Sequence, residues 1–266
     1  MVLLHGEAVK INGLTVCVGY AEYLAIGIER WMAGLDSLTI VTTPDDQATL
    51  DLAEKFQARV LQTDLFYQDG ASFNKGRALE FARRTAVPWR DWILIFDSDI
   101  VPEPNWLDRV QAARTLEGYL HGAWRFDAGQ IRDLHEIDTG HFPYFSGDAI
   151  GVGYFQLFHS GDRRANEPLP VIDTFWIHGG NYDNRFMDRW RRQGLPIQKI
   201  DVRLVHVGER DNWFGKGCQE EFLAMQKERQ RRRGRWDHER LDFTPDDVRA
   251  VQSRSKRLKE PKVPGV

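Results

Sequence analysis

The first hundred residues alternate between short apolar runs and longer stretches with helical periodicity. The apolar runs predict four strands, at Leu14–Tyr20, Leu38–Thr42, Arg59–Gln62 and Trp92–Phe96. Between these runs apolar residues recur every three or four positions, which is the spacing of one helix face. Strands that alternate with helices form βαβ units and require a mainly parallel sheet with helices against it. The alternation therefore predicts an α/β protein.

The regular alternation stops after the fourth run. For this second part we expect helices at Asn105–Arg114 and Asp183–Arg192, and strands at Tyr119–Phe126, Val152–Phe158 and Ile197–Val207. The segment Asp127–Asp148 is rich in Gly, Asp and His and is predicted to form loops.

Composition excludes several classes of protein without identifying a partner. The 266 residues are 42% apolar and 28% charged with a formal charge of −3, as in ordinary globular domains. Cys17 and Cys218 are far apart, so neither a disulfide framework nor a zinc knuckle is indicated, and a reducing compartment fits best. The sequence shows no signal peptide and no run of about 18 apolar residues. We therefore expect a cytoplasmic protein without a transmembrane segment.

Two aspartates, Asp97 and Asp99, directly follow the most apolar of the predicted strands. Ligands of open α/β sheets bind outside the carboxyl ends of the strands, so these carboxylates stand where function is expected. Two carboxylates there can hold a divalent cation, which would neutralise the phosphates of a nucleotide. An ordinary polar turn is the alternative interpretation.

A second polar segment, Asn74-Lys75-Gly76, opens a predicted helix at Lys75–Arg84. Free backbone donors at a helix start, together with a lysine, favour a phosphate or another anion. An ordinary capped helix start would have the same composition.

These segments occur in an order that resembles the GT-A glycosyltransferases, especially the small family 2 type enzymes, over roughly Leu14–Trp106. The matching segments are Val16-Cys17-Val18-Gly19-Tyr20, Val41-Thr42-Thr43-Pro44-Asp45-Asp46, Phe73-Asn74-Lys75-Gly76-Arg77-Ala78-Leu79 and Phe96-Asp97-Ser98-Asp99. The resemblance implies a GT-A fold: a Rossmann-like, mainly parallel sheet flanked by helices, with the Asp-X-Asp motif at a strand end. It also implies Mn2+ or Mg2+ as cofactor and a UDP-sugar as donor.

The resemblance further implies that different segments of the chain bind the donor and the acceptor. Residues 1–106 would form the nucleotide-sugar-binding half of a single domain, 107–225 the acceptor-binding and catalytic half, and 226–266 a basic C-terminal helix or tail. At the donor, the resemblance implies that Tyr20 and Thr42 contact the nucleotide and that Asp45 or Asp46 binds its uracil. Asn74, Lys75 and Lys216 would contact the diphosphate. Asp99 would contact the metal, Asp97 the metal or the ribose, and His206 would be a third metal ligand.

Transfer to an acceptor hydroxyl is assisted by a base, and Asp183 is the residue that the resemblance suggests. It follows Gly179-Gly180-Asn181-Tyr182, similar to the acceptor-side acidic segment of these enzymes. Here one acid stands where the family usually has a pair. Whether the transfer inverts or retains the configuration at the anomeric carbon of the sugar therefore stays open. Asp183 could equally cap a helix.

The expected activity is that of a hexosyl- or pentosyltransferase acting on a glycan, a protein, a lipid-linked sugar or modified DNA. A nucleotidyltransferase is a different enzyme class that would usually need a Gly-rich phosphate loop, which Gly19-Tyr20-Ala21-Glu22 lacks. A non-catalytic nucleic-acid-binding module could use the Arg231-Arg232-Arg233 run. The same basic region could bring a glycosyltransferase to modified bases of DNA.

Overall fold

The computed structural model describes residues 10–68, 71, 73–86, 91–113, 115, 117–129, 133–144, 154–161, 172, 182–192, 194 and 197–208. The strands are β1 (Ile11–Val16), β2 (Ser37–Thr42), β3 (Arg59–Gln62), β4 (Trp92–Asp97), β5 (Ile100–Pro102), β6 (Leu120–Asp127), β7 (Gln156–His159) and β8 (Ile197–His206). The helices are α1 (Ala21–Met32), α2 (Gln47–Lys55), α3 (Lys75–Ala86), α4 (Trp106–Ala112), α5 (Leu134–Thr139) and α6 (Tyr182–Arg192).

The strands form one eight-stranded sheet in the order β3-β2-β1-β4-β7-β6-β8-β5. The pairs β1–β2, β1–β4, β2–β3 and β6–β8 are parallel, whereas β4–β7, β6–β7 and β5–β8 are antiparallel. The sheet is thus mixed and mostly parallel, and the predicted α/β class is confirmed. Strands from both halves of the described chain share this one sheet.

Helices cover both faces of the sheet. On one face α1, α2 and α4 contribute Leu24, Ile28, Trp31, Ala53, Trp106 and Val110 to a buried cluster. On the other face α3 and α6 bury Ala78, Leu79, Ala82, Phe186, Met187 and Trp190. Strand β4 is buried on both faces, which explains its uninterrupted apolar sequence. Each such fully buried aliphatic side chain contributes roughly 1.5–3 kcal/mol to folding.

The first strand, one predicted loop segment and one short strand depart from the sequence prediction. The first strand runs from Ile11 to Val16 and ends before Gly19, whose φ of 66° breaks the extended chain. The segment predicted as loops contains the short helix α5, which Asp133 caps by accepting a hydrogen bond from the backbone N–H of His135 at 2.7 Å. The sequence does not predict the strand β5, because a run of three residues is too short to show the alternation of apolar and polar side chains that is typical of a strand.

No helix within the described part of the chain is long and apolar enough to cross a membrane.

Candidate active site

The topology brings the carboxyl ends of six strands to one edge of the sheet. Strands β1 to β4 run in the same direction, and two antiparallel steps through β7 make β6 and β8 run in that direction as well. Asp97, Asp127 and His206, which end β4, β6 and β8, therefore lie along the same edge. We call this edge the carboxyl edge.

The order of the strands reverses between β1 and β4. The chain moves outward from β1 to β2 and β3, and then crosses back to place β4 on the other side of β1. Open α/β sheets bind ligands in the crevice at such a reversal. In this sheet Val16 at the end of β1 lies beside Asp97 at the end of β4. The crevice is bounded by Asp97 and by the turn that follows Val16.

Asn74 and Lys75 lie at the start of α3, next to Asp97. The Asn74 side chain caps the helix by accepting a hydrogen bond from the backbone N–H of Arg77 at 2.9 Å. The Nζ atom of Lys75 forms an ion pair with Oδ1 of Asp97. The structure thus brings together the two sequence segments that the resemblance placed at the diphosphate and at the metal.

A chain of polar contacts links Asp99, His206, Asp127 and Arg125. Strand β8 lies between β6 and β5, so His206 pairs with Asp127 on one side and with Ile100, the neighbour of Asp99, on the other. His206 Nε2 lies 3.2 Å from Asp99 Oδ2, and His206 Nδ1 lies 3.3 Å from Asp127 Oδ1. Arg125 donates a hydrogen bond from Nε to Asp127 Oδ1 at 3.0 Å, and its Nη2 forms an ion pair with the same oxygen at 2.9 Å.

These contacts shift the pKa values of the groups involved. Burial alone would raise the pKa of Asp99, but the hydrogen bond and charge of His206, helped by Lys75 and Arg125, lower it. Burial would lower the pKa of His206, yet its hydrogen bonds to Asp127 and Asp99 raise it to about 9. The pKa of Asp127 falls to about 2, because the contacts with His206 and Arg125 outweigh its burial. Both carboxylates are therefore ionised at neutral pH.

Asp99 and His206 have the chemistry and the spacing of two metal ligands. Adjacent ligands of an octahedral ion with bonds of about 2.1 Å lie about 3 Å apart, and Oδ2 and Nε2 are 3.2 Å apart. Carboxylate oxygen and imidazole nitrogen both bind Mn2+. Among the described residues no three His, Cys, Asp or Glu side chains form a complete metal site. The remaining ligands would have to come from substrate phosphates and water, as at many Mg2+ sites.

The two aspartates after β2 have different environments. Asp46 caps α2 and accepts hydrogen bonds from the Gly19 backbone and from the Thr42 and Thr49 hydroxyls, at 2.8, 3.0 and 2.7 Å. Asp45 is exposed, and hydrogen bonds from Thr43 and from its own backbone lower its pKa. Of the two, Asp45 is the side chain available to a nucleotide base. Thr42, whose hydroxyl is bound to Asp46, is fully buried.

The remaining predicted site residues, Tyr20, Asp183 and Lys216, lie in different parts of the chain. Tyr20 directly precedes α1, with its ring 5.1 Å from that of Tyr23. Asp183 is half-buried in the first turn of α6, and its charge acts on Tyr154 together with that of Asp127. Lys216 and the basic C-terminal segment lie outside the described residues.

Sequence reasoning missed Arg125, Asp127 and Gly208. A Cβ atom on Gly208 would collide with the Asp99 carboxylate, so a glycine here allows the chain after β8 to pass close to that side chain. The sequence predicts Asp127 at the start of a loop, whereas it ends β6 beside His206. An acid that directly follows a predicted strand was the available signal, as it was for Asp97.

Comparison with known proteins identifies relatives by structure and none by sequence. No protein-family model matches the chain, and no curated protein sequence matches it. Mannosyl-3-phosphoglycerate synthase from Rubrobacter xylanophilus is similar in structure, with a TM-score of 0.51 and 15% identity, over 90% of this chain and 79% of that chain.

Two further structures are similar at a lower level. Glucosyl-3-phosphoglycerate synthase from Mycobacterium tuberculosis, in complex with Mn2+, UDP and glucosyl-3-phosphoglycerate, has a TM-score of 0.49 and 17% identity, over 86% of this chain and 81% of that chain. The 4-diphosphocytidyl-2C-methyl-D-erythritol synthase from Anaerococcus prevotii has a TM-score of 0.43 and 12% identity, over 73% and 90%. The likeness to the mannosyl-3-phosphoglycerate synthase, at 15% identity, concerns the fold alone, and it confirms the GT-A-like fold implied by the sequence.

Proposed function

We propose that this protein is a metal-dependent glycosyltransferase that takes a sugar from a UDP-sugar and transfers it to an acceptor hydroxyl. The observation that carries the proposal is the Asp99–His206 pair at the carboxyl edge, beside Asp97 and the start of α3. The pair combines an oxygen and a nitrogen ligand in a position where α/β sheets bind nucleotides. The fold, shared with an enzyme named as a mannosyl-phosphoglycerate synthase, supports the same reaction class.

Each residue of the proposed site has a physical role. Asp99 and His206 would hold Mn2+ or Mg2+, and this cation would neutralise charge on the diphosphate as it leaves. Lys75 supplies a further positive charge at the start of α3, where backbone N–H groups also favour an anion. Asp97, which is about one third exposed and paired with Lys75, is accessible to the donor ribose or to the cation. Asp45 is the proposed partner of uracil.

The acceptor side is proposed on fewer observations. Asp183 would take the proton of the acceptor hydroxyl, and its charge reaches Tyr154, whose ring lies 5.4 Å from Arg125 of the network. This connects the first turn of α6 electrostatically to the carboxyl edge. The acceptor itself, whether a glycan, a protein, a lipid-linked sugar or modified DNA, is not identified by these contacts. Lys216 stays a proposed contact of the diphosphate.

Thermal unfolding with UDP, GDP, CMP and ADP, each with and without Mn2+, tests the proposal. A ligand present at 100 times its Kd stabilises the native state by about 2.7 kcal/mol. For a domain of this size that corresponds to a rise in Tm of about 5–10 °C. We expect this rise for UDP with Mn2+, and a much smaller one for either alone.

Two variants make the test specific. Asp99→Asn should abolish the Mn2+-dependent rise, whereas Asp201→Asn should retain it, because Asp201 is an exposed acid on the same strand as His206. No rise with any nucleotide in the wild type, or an undiminished rise in Asp99→Asn, would refute the site assignment.

A further inference from the structure

The two ring nitrogens of His206 face different carboxylates. Nε2 faces Oδ2 of Asp99 at 3.2 Å, on the side where the proposed metal would bind. Nδ1 faces Oδ1 of Asp127 at 3.3 Å, on the opposite side of the ring. Asp127 is therefore placed to act on a metal through His206 rather than to bind it.

The Asp127 carboxylate is held in place by its surroundings. Arg125 donates a hydrogen bond from Nε to Oδ1 and forms an ion pair with it through Nη2, and the backbone N–H of Asp127 donates to the Pro143 carbonyl at 3.1 Å. The side chain is one tenth exposed, so little solvent competes for the carboxylate. A buried and anchored acceptor of this kind restricts the orientation of the ring that donates to it.

Arg125 and Asp127 make opposite demands on the same nitrogen. Arg125 Nη2 lies 3.3 Å from His206 Nδ1 and can donate to it only when that nitrogen carries no proton. Asp127 can only accept, so it requires a proton on Nδ1. A cation at Nε2 would replace the proton there, while the proton on Nδ1 stays in its hydrogen bond to Asp127. The tautomer that Asp127 selects is thus the one that can bind a metal.

We propose that Asp127 is the positioning residue of this site: it fixes the ring and the Nδ1 proton of His206, so that Nε2 is available as a metal ligand beside Asp99. Metal-binding histidines usually donate their second ring N–H to such a carboxylate or carbonyl. The inference rests on the proposed function, since it assumes that Asp99 and His206 bind a divalent cation. Without Asp127, Arg125 remains beside Nδ1 and favours a proton on Nε2, which blocks that ligand.

The test measures metal binding rather than turnover. Free Mn2+ is titrated by electron paramagnetic resonance in the presence of UDP, and electron spin echo modulation detects a directly bound 14N nucleus. The wild type should bind Mn2+ and show the nitrogen signal, and His206→Ala should lack that signal. Asp127→Ala should bind Mn2+ about 10- to 100-fold more weakly and lose the nitrogen signal. Asp127→Asn keeps an acceptor oxygen and should show a smaller but measurable loss.

Control variants and the remaining outcomes separate this inference from the proposed function. Asp201→Ala removes an exposed acid from the strand of His206 and should bind Mn2+ like the wild type. If Asp127→Ala and Asp127→Asn both bind Mn2+ like the wild type, the inference is wrong, and if the alanine variant does not fold, unchanged affinity in Asp127→Asn suffices. Mn2+ binding that depends on Asp99 but shows no nitrogen signal overturns the inference and removes His206 from the proposed metal site, while Asp99 keeps its proposed role. A wild type that binds no Mn2+ overturns both proposals.

Discussion

Replacing Asp46 by alanine should destabilise the fold strongly, although the side chain lies at the edge of the proposed nucleotide site. Its carboxylate joins three parts of the chain: the turn after β1 at Gly19, the end of β2 at Thr42 and the first turn of α2 at Thr49. The hydroxyls of Thr42 and Thr49 are fully buried, so water cannot replace the lost acceptor at either group.

The size of the effect follows from these contacts. Loss of a helix N-cap costs about 0.5–2 kcal/mol, and a buried donor left without its partner costs about 1–3 kcal/mol. Thr49 keeps a contact with the Cys17 sulfur at 3.4 Å, which reduces its loss. We expect a total of about 3–5 kcal/mol for Asp46→Ala, which corresponds to a fall in Tm of about 6–20 °C.

Urea and thermal unfolding of Asp46→Ala and Asp45→Ala measure the difference. Asp45 is exposed, so its replacement should change stability by no more than about 0.5 kcal/mol. The same Asp45 variant should weaken UDP binding if it contacts the base. A loss below about 1 kcal/mol in Asp46→Ala, or an equal loss in both variants, would refute the division into a structural and a binding aspartate.

Three further changes test other parts of the structure. Gly208→Ala should push the Asp99 carboxylate from its position and reduce Mn2+-dependent UDP binding by at least about tenfold, measured by calorimetry; unchanged affinity would show that the contact yields without cost. Burial would raise the pKa of Glu80, but its contacts with Arg83 and Arg84 lower it below the ordinary value of 4.5. The ionised Glu80 therefore stabilises the fold fully above pH 4.5, and this contribution is lost progressively as the pH falls below that value. Urea unfolding of Glu80→Gln should therefore show a deficit at pH 7 that shrinks towards pH 3, and a deficit independent of pH would contradict this. Asp183→Asn should lower the transfer rate by about 10²–10⁴-fold with little change in donor affinity, and unchanged transfer would remove Asp183 as the base.

The parallel half of the fold could be predicted because its strands and helices carry complete local patterns. Strand β4 is an apolar run ended by Asp97, and α3 begins at a capping asparagine, so both are readable from a few residues. The start of β1 was misplaced because Gly13 interrupts its apolar run while Val18 extends the pattern beyond its true end. Gly13 lies against the Leu35 and Leu38 side chains, a long-range contact that no local pattern contains.

The candidate site could be predicted only in part, for a related reason. Asp97, Asp99 and Lys75 stand in recognisable segments near the ends of predicted elements. The contact of Asp127 with His206 depends instead on β8 pairing in parallel with β6, and on the register that places these two residues side by side. That pairing joins segments far apart in the sequence. Its register also shifts between Gly122 and Trp124, where β8 advances from Lys199 to Arg203 while β6 advances by only two residues. A residue's role then follows from its neighbours across the sheet and not from its sequence context.

The position of Asp99 depends on packing on the far side of β5. This strand is only three residues long, so its own pairing with β8 provides few hydrogen bonds. Helix α1 adds contacts to this strand. The Nε1 atom of Trp31 donates a hydrogen bond to the Ile100 carbonyl at 2.9 Å. The helix also passes close to β5 at Gly27, where a Cβ atom would lie only 3.1 Å from the same carbonyl oxygen. If Asp99 holds a cation beside His206, as proposed, its backbone must not shift. The short edge strand β5 is fixed between β8 on one side and the closely packed helix α1 on the other. Residues of α1 that contact no ligand therefore help to hold Asp99 in the proposed metal site.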